Sequence, residues 1–135
     1  LSVSYLALSC LHCAQAPCID ACPAGAIQKR SEEGVVTVDR DACLGQDECG
    51  AMCESVCPYG APKFSSEPNA KMQKCDFCLD RWAERKLPIC VMGCPMRALD
   101  AGDMEDLRSK YGSNIQAVGF VYSETTHPSI MIRSK

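Results

Sequence analysis

Three times in this chain a cysteine is followed, after three residues, by a second cysteine and a proline. The copies are Cys18-Ile-Asp-Ala-Cys22-Pro23, Cys53-Glu-Ser-Val-Cys57-Pro58 and Cys90-Val-Met-Gly-Cys94-Pro95. Their first cysteines stand 35 and then 37 residues apart, and Ala26, Ala61 and Ala98 follow at one shared offset. Two more cysteines precede each copy, Cys10 and Cys13, Cys43 and Cys49, then Cys75 and Cys78, so the repeat absorbs all 12 in the chain. A period of this length marks one supersecondary unit used repeatedly. It constrains the fold more than hydrophobic patterning does. Leu, Ile, Val and Phe supply only 26 of 135 residues, about 19%, a share that normally leaves a chain without a core. The net charge of −3 is too small for self-repulsion to be the reason. Something held by cysteines must stand in for buried aliphatic surface, and the candidates are disulfides, zinc and iron–sulfur clusters.

Local punctuation gives the coarse elements. Each Cys-x3-Cys stretch is a short helical turn ended by its proline. Ala26 to Arg30 and Val35 to Asp39 flank Ser-Glu-Glu-Gly, a hairpin with Gly34 at a positive φ. Asp76 to Lys86 is expected to be helical, with Leu79 and Trp82 on one face, and Asp103 to Lys110 is a second helix stopped by Tyr111-Gly112. In the tail, Ala117 to Tyr122 and Ser129 to Ile132 look strand-like. The tail lacks a core of its own, so it is expected to lie against another surface. Basic residues are scattered through an acidic chain, which excludes a nucleic-acid face. The longest uncharged run, Leu1 to Ile19, is too polar for a membrane span and lacks the basic start of a signal peptide. The chain begins at Leu rather than Met, and the expectation is a fragment or a processed product.

Disulfides require only suitable Cα separations and give no reason for a triplicated Cys-x3-Cys-Pro. Zinc sites favour two Cys-x2-Cys pairs, which only Cys75/Cys78 with Cys90/Cys94 approaches. A c-type haem is excluded because neither Cys-x2-Cys is followed by His. Iron–sulfur cubes suit the pattern. Three closely spaced thiolates wrap one side of a cluster, and in two-cluster ferredoxins the fourth cysteine, before the proline, ligates the other cluster. Cys10-x2-Cys13-x4-Cys18-x3-Cys22-Pro matches well; Cys43-x5-Cys49-x3-Cys53-x3-Cys57-Pro has stretched first gaps. Cross-ligation then assigns Cys10, Cys13, Cys18 and Cys57 to one 4Fe-4S cluster and Cys43, Cys49, Cys53 and Cys22 to the second. Gln46 occupies a possible ligand position, but the proline follows Cys57 rather than Cys53, so Gln46 is taken as a solvated residue of a short insertion.

These residues resemble the iron–sulfur electron-transfer subunits of dimethyl sulfoxide reductase-type molybdenum enzymes. The resemblance runs through Cys10-Leu-His12-Cys13, Cys22-Pro-Ala-Gly-Ala26, Gly34-Val-Val, Cys57-Pro-Tyr-Gly-Ala-Pro62, Lys74-Cys75-Asp-Phe-Cys78 and Cys94-Pro-Met-Arg-Ala-Leu99. It implies an α+β fold: a ferredoxin-like two-cluster module over residues 1–66, a third Cys motif with a helix over 67–100, and a C-terminal helix and partner-docking tail over 101–135. Such subunits pass single electrons between a molybdopterin-containing catalytic subunit and a membrane anchor subunit handling quinol. The implied protein is peripheral to the cytoplasmic membrane, spans no bilayer and has no substrate site of its own. Members of the family usually carry sixteen cysteines; here the expected first motif, upstream of Leu1, is absent. In the family, Cys75, Cys78 and Cys90 would join the last cysteine of that motif, and Cys94 would complete the cluster of its first three. Alternatively Cys75, Cys78, Cys90 and Cys94 close a third site by themselves. A cluster subunit of a hydrogenase or formate dehydrogenase complex is the neighbouring reading, and a Cys-rich zinc-binding interaction module is the reading from another class.

Around the cysteines, His12 could donate to a sulfur, but an exposed or locally bonded ring is the simpler expectation. Lys74 and Arg97 flank ligands and could raise potentials or be solvated or ion-paired. Trp82 is expected in the core, Arg81 to Lys86 at the surface, and Met52, Met92 and Met96 packed against clusters or core.

Overall fold

The computed structural model describes residues 5–133; the outer ends of the first and last expected segments, 1–4 and 134–135, lie outside the described residues. The chain is a small mixed α/β structure with a two-stranded sheet and several short helices. In order these are α1 (Pro17–Asp20), β1 (Ile27–Lys29), β2 (Val36–Val38), α2 (Gln46–Cys49), α3 (Met52–Ser55), α4 (Leu79–Ala83), α5 (Ile89–Gly93) and α6 (Met104–Tyr111). β1 and β2 form the antiparallel hairpin, with Ile27 opposite Val38 and Lys29 opposite Val36, and Gly34 turns it at φ 70°.

The sequence repeat is a structural repeat. α1, α3 and α5 each carry the first cysteine of a Cys-x3-Cys-Pro segment, and the second cysteine follows in a tight turn. The N–H groups of Gly25, Gly60 and Arg97 donate to the carbonyls of Cys22, Cys57 and Cys94 at 3.1, 3.2 and 3.2 Å. All three donors lie in the left-handed region, at φ 61°, 57° and 50°. Glycine adopts that conformation freely, whereas Arg97 carries a strain cost of about 1 kcal/mol or more.

The core is small and made partly of thiols. Cys13, Cys18, Cys43 and Cys53 are buried in one cluster with Leu11, Ala16, Ala26, Ile27, Val36, Met72 and Phe120. The helix expected over Asp76 to Lys86 shrinks to α4. The Asp76 carboxylate accepts the Cys78 N–H at 2.9 Å, and Phe77 and Cys78 take φ 64° and 50°, so the cysteine loop claims the expected first turn. α6 ends at Gly112 as expected.

The tail forms no regular strand among the described residues. Ala117 and Phe120 make one isolated bridge across Gly119, whose φ of 84° breaks an extended run. The surface it lies against is the chain's own first cysteine loop. Ala14 and Gln15 donate to the carbonyls of His127 and Thr126 at 2.9 and 3.0 Å, and Ser129 donates to the Leu11 carbonyl at 2.9 Å. Phe120 stacks on Tyr59 at 5.6 Å, and the Tyr59 hydroxyl donates to the Val121 carbonyl at 3.3 Å while accepting the Ser123 N–H at 2.9 Å. The tail thus supplies backbone partners that loop residues 11–15 lack locally.

Candidate metal centres

The geometry of the cysteines follows from these turns. A one-turn helix buries its own cysteine, and the proline after the second cysteine sends the chain away. That second thiol is therefore free to face a different loop. Cys10, Cys13, Cys18 and Cys57 together line one cavity, closed by Leu11, Ala16, Val36, Tyr59 and Pro62. Cys22, Cys43, Cys49 and Cys53 line a second, closed by Ile27, Val38, Leu44, Phe64 and Met72. The empty space is about 380 Å³ in the first and about 340 Å³ in the second, both partly open to solvent. In each cavity one cysteine comes from the other repeat. α1 and α3, which carry Cys18 and Cys53, pack directly on one another.

All 12 thiols are free of disulfide bonds, which overturns a disulfide framework. Among the described residues no three His, Cys, Asp or Glu converge tightly enough to hold a single metal ion. Each set of four thiols lines one open space, an arrangement in which each thiol can bind a different iron of a cube. Burial raises the Cys10, Cys13 and Cys53 thiols above their ordinary range and takes Cys18 to about 11. Without a cation these thiols hold their protons at neutral pH. A metal would displace them, which makes cluster binding part of the folding free energy.

Two buried polar side chains, His12 and Thr126, stand at the first cysteine loop. The His12 ring is 7% exposed, and its Nδ1 accepts the Val36 N–H at 3.0 Å. Burial, with Lys74 and Lys29 nearby, lowers its pKa to about 4, so the ring is neutral and its proton sits on Nε2. That atom has no partner, and the Thr126 hydroxyl lies beside the Cys13 thiol, where it favours the thiolate against the burial that raises it. Four thiols on one space, closed by apolar walls, are the donor set that a 4Fe-4S group takes, so the first cavity fits such a group. In the second cavity the walls are apolar, and Cys49 donates from its thiol to the Gly45 carbonyl at 3.1 Å.

The third set is less gathered. Cys75, Cys78 and Cys94 are half-buried and Cys90 is exposed. Cys75 lies within electrostatic reach of Cys10, so this motif adjoins the first cavity. The N–H of Ala98 donates to the Cys94 sulfur at 3.3 Å, as that of Ala61 does to Cys57 at 3.4 Å. Backbone donors at Ala98 and the residues before and after it lower the Cys94 pKa. The turn is thus arranged to stabilise a thiolate.

Several neighbours differ from expectation. His12 is buried rather than exposed: its Nδ1 accepts from the hairpin and also lies 3.9 Å from the Cys10 sulfur, a local contact, and its φ of 42° sets it within the loop and against Val36. Trp82 lies outside the buried core; it is half-buried and packs edge-on against Phe77, 5.2 Å away, which in turn meets His12 at 5.8 Å. Met92 and Met96 are 57% and 77% exposed, and of the three methionines expected near clusters or core Met52 alone lines a cavity. Arg97 is exposed, while Lys74 reaches the carbonyls of Val36 and Cys75. Gln46 is not a solvated loop residue. It opens α2, and its amide donates to the carbonyls of Ser65 and Glu67, 3.4 Å from each. Met72, Phe64, Lys29 and Lys71 were invisible as site residues, since none sits in a cysteine motif. Only the Lys71-Met72-Gln73-Lys74 alternation, with Met72 1% exposed, carried any local sign.

The comparisons with known proteins agree with this chemistry. The chain is 46% identical over 129 residues to the B polypeptide of the anaerobic dimethyl sulfoxide reductase of Escherichia coli (strain K12), covering 96% of this chain and 60% of that protein. It is 41% identical over 117 residues to the B polypeptide of the sulfite dehydrogenase of Allochromatium vinosum, covering 82% and 47%. Protein NrfC of E. coli (strain K12) matches at 40% over 103 residues, covering 76% and 44%. The chain thus spans no more than about 60% of the length of these relatives. Residues 1–104 match the 4Fe-4S dicluster domain, a stretch that holds all twelve thiols and both thiol-lined cavities, and the chain belongs to that family.

Proposed function

We propose that the chain relays single electrons through 4Fe-4S clusters as part of an iron–sulfur subunit of a molybdoenzyme complex. The observation that carries this reading is that each of two cavities is lined by four thiols, three from one repeat and one from the other. Cys10, Cys13, Cys18 and Cys57 would hold one cluster, and Cys22, Cys43, Cys49 and Cys53 the second. When bound, such a cluster supplies a reversible one-electron couple that moves no proton and breaks no bond. The chain's own residues then have three tasks. The thiolates fix the position, the apolar walls of both cavities exclude water, and the shared turns hold the two sites close together.

On this reading the two-cluster unit is ferredoxin-like and covers residues 1–66, the third motif 67–100, and the helix and tail 101–135. The third set, Cys75, Cys78, Cys90 and Cys94, would complete a further site, alone or with cysteines from elsewhere. The partners would be a molybdopterin-containing catalytic subunit, where substrate chemistry occurs, and a membrane anchor handling quinol. The chain would sit peripheral to the membrane with no substrate site of its own. Among the described residues no helix is long and apolar enough to cross a bilayer. Anaerobic purification followed by iron, acid-labile sulfide and zinc analysis tests the reading. About eight irons with matching sulfide, and visible absorbance that bleaches on reduction, are expected for two clusters, and about twelve if the third set is complete. A colourless protein with stoichiometric zinc would refute it.

A further inference from the structure

Three lysines outside the cysteine motifs, or at their edge, place their ammonium groups on the backbone of the cysteine loops. Lys29 Nζ donates to the carbonyls of His12, Cys13 and Gly34 at 3.1, 2.9 and 2.7 Å. Lys74 Nζ donates to the carbonyl of Val36 and to that of Cys75 at 3.0 Å. Lys71 Nζ donates to the carbonyl of Cys43. Each lysine thus engages the carbonyl of a cysteine, and Val36 and Cys13 line the first cavity while Cys43 lines the second.

Among the described residues none of the three forms an ion pair with a carboxylate. The ion pairs among the described residues use Arg30, Lys63, Lys86 and Lys110 instead. Lys71 and Lys74 are half-buried, so water screens them less than an ordinary surface lysine. The Lys29 side chain is more exposed, but its head group is held by three carbonyls. An unpaired ammonium next to a thiol-ligated cluster favours the state with one more electron.

We propose that Lys29 and Lys74 raise the reduction potential at the Cys10/Cys13/Cys18/Cys57 cavity, and Lys71 that at the Cys22/Cys43/Cys49/Cys53 cavity, from ammonium groups pinned on the cysteine loops without a neutralising carboxylate. This rests on the cluster assignment proposed above. The lysines are positioning residues: they hold the loops through hydrogen bonds and bias the electron through their charge. The arrangement gives each cluster a nearer lysine, so that each potential is biased more by its own side chain than by the other's.

The test is an EPR-monitored redox titration of the anaerobically purified protein and its Lys29→Gln, Lys74→Gln and Lys71→Gln variants, with iron and sulfide counted in each. Signals are assigned to cavities with Cys57→Ser and Cys22→Ser proteins. At about 10 Å and an effective dielectric constant of about 20, one unit charge changes the reduced-to-oxidised ratio by about tenfold. Lys74→Gln should therefore lower the first cavity's midpoint by about 59 mV, the one-electron equivalent of tenfold, with Lys29→Gln smaller because it is more exposed. Lys71→Gln should move the second more than the first, because the effect falls as the inverse of distance. The Lys→Arg variants, which keep the charge, should titrate as the unsubstituted protein does. Full clusters with unmoved midpoints, or an equal shift at both cavities, would overturn the proposal. If a Gln variant fails to load its cavity, the Met variant is titrated instead. Failure of both beside a loaded Arg variant assigns the lysine to loop building alone and also overturns the tuning role. Absence of clusters from the unsubstituted protein would defeat the underlying assignment, a result distinct from clusters that ignore the lysines.

Discussion

Replacing Gly45 with alanine would put a methyl group where the structure has no room for one. Gly45 is buried at φ 98°, ψ 158°, a region open essentially to glycine alone, where another residue costs about 1–3 kcal/mol. The added Cβ would stand 2.1 Å from Asn69 Oδ1, 2.5 Å from its Cγ and 2.6 Å from its backbone oxygen. Asn69 would have to leave. It now donates its N–H to Asp47 at 2.5 Å and its side-chain amide to the Leu44 carbonyl at 3.0 Å and to Glu48 at 3.2 Å. At about 1 kcal/mol for each of the three hydrogen bonds, the total with the backbone strain is about 4–6 kcal/mol. The cost is local, because this segment joins Cys43 to Cys49. It is expected to appear as opening of the second cavity rather than as global unfolding. Chelator-driven iron release, followed by absorbance and EPR, should accelerate by about a thousandfold or more for that cluster and little for the other. Adding Asn69→Gly removes the two side-chain contacts but leaves the 2.6 Å backbone contact, so it should rescue only partly. Release from Gly45→Ala at the unsubstituted rate would refute the reasoning.

Other expectations follow from the same geometry. Cys57→Ser should abolish or convert the EPR signal of the cluster held by the first repeat, and Cys22→Ser that of the second; the opposite pattern would refute cross-ligation. Arg97→Gly should slow denaturant unfolding by an amount equivalent to about 0.5 kcal/mol, since it removes about 1–2 kcal/mol of left-handed strain at φ 50° against an entropic cost of about 0.4–1 kcal/mol. Asp100 is held at about 2 by hydrogen bonds from Lys110 and Tyr111, which tie α6 to the segment after Cys94. A depressed carboxylate contributes stability above its ordinary value near 4, and that contribution fades as pH falls through 4 towards 2. Asp100→Asn should therefore loosen α6 at pH 7, measured by amide exchange, and should flatten its dependence on acid; an unchanged acid dependence would exclude the tie.

Much of the cysteine framework was legible because it is local. Cys-x3-Cys-Pro specifies a helical turn and its exit within six residues, and the hairpin rests on Gly34 between two apolar runs. Residues acting through long-range contacts were not legible. Lys29 looks like a solvated strand residue, yet its ammonium crosses to carbonyls 16 and 17 residues earlier. His12 looks exposed because its partner, the Val36 N–H, is 24 residues away. The tail shows extended-looking apolar runs, but its backbone bonds go to the first cysteine loop and to Tyr59, 62 and 64 residues upstream of its partners. A strand periodicity cannot reveal such pairing. Trp82 misled for a related reason: in a core built partly of thiols, the largest aromatic side chain need not be central.

The claim beneath all of this is that two sets of four thiols, each completed by the neighbouring repeat, hold iron. Anomalous diffraction at the iron edge from anaerobically grown crystals tests it most directly. Iron density in both cavities is predicted, with Cys57 bound alongside Cys10, Cys13 and Cys18, and Cys22 bound alongside Cys43, Cys49 and Cys53. Sulfur atoms bonded to one another, a single zinc ion in either cavity, or Cys22 and Cys57 remote from the iron would contradict it.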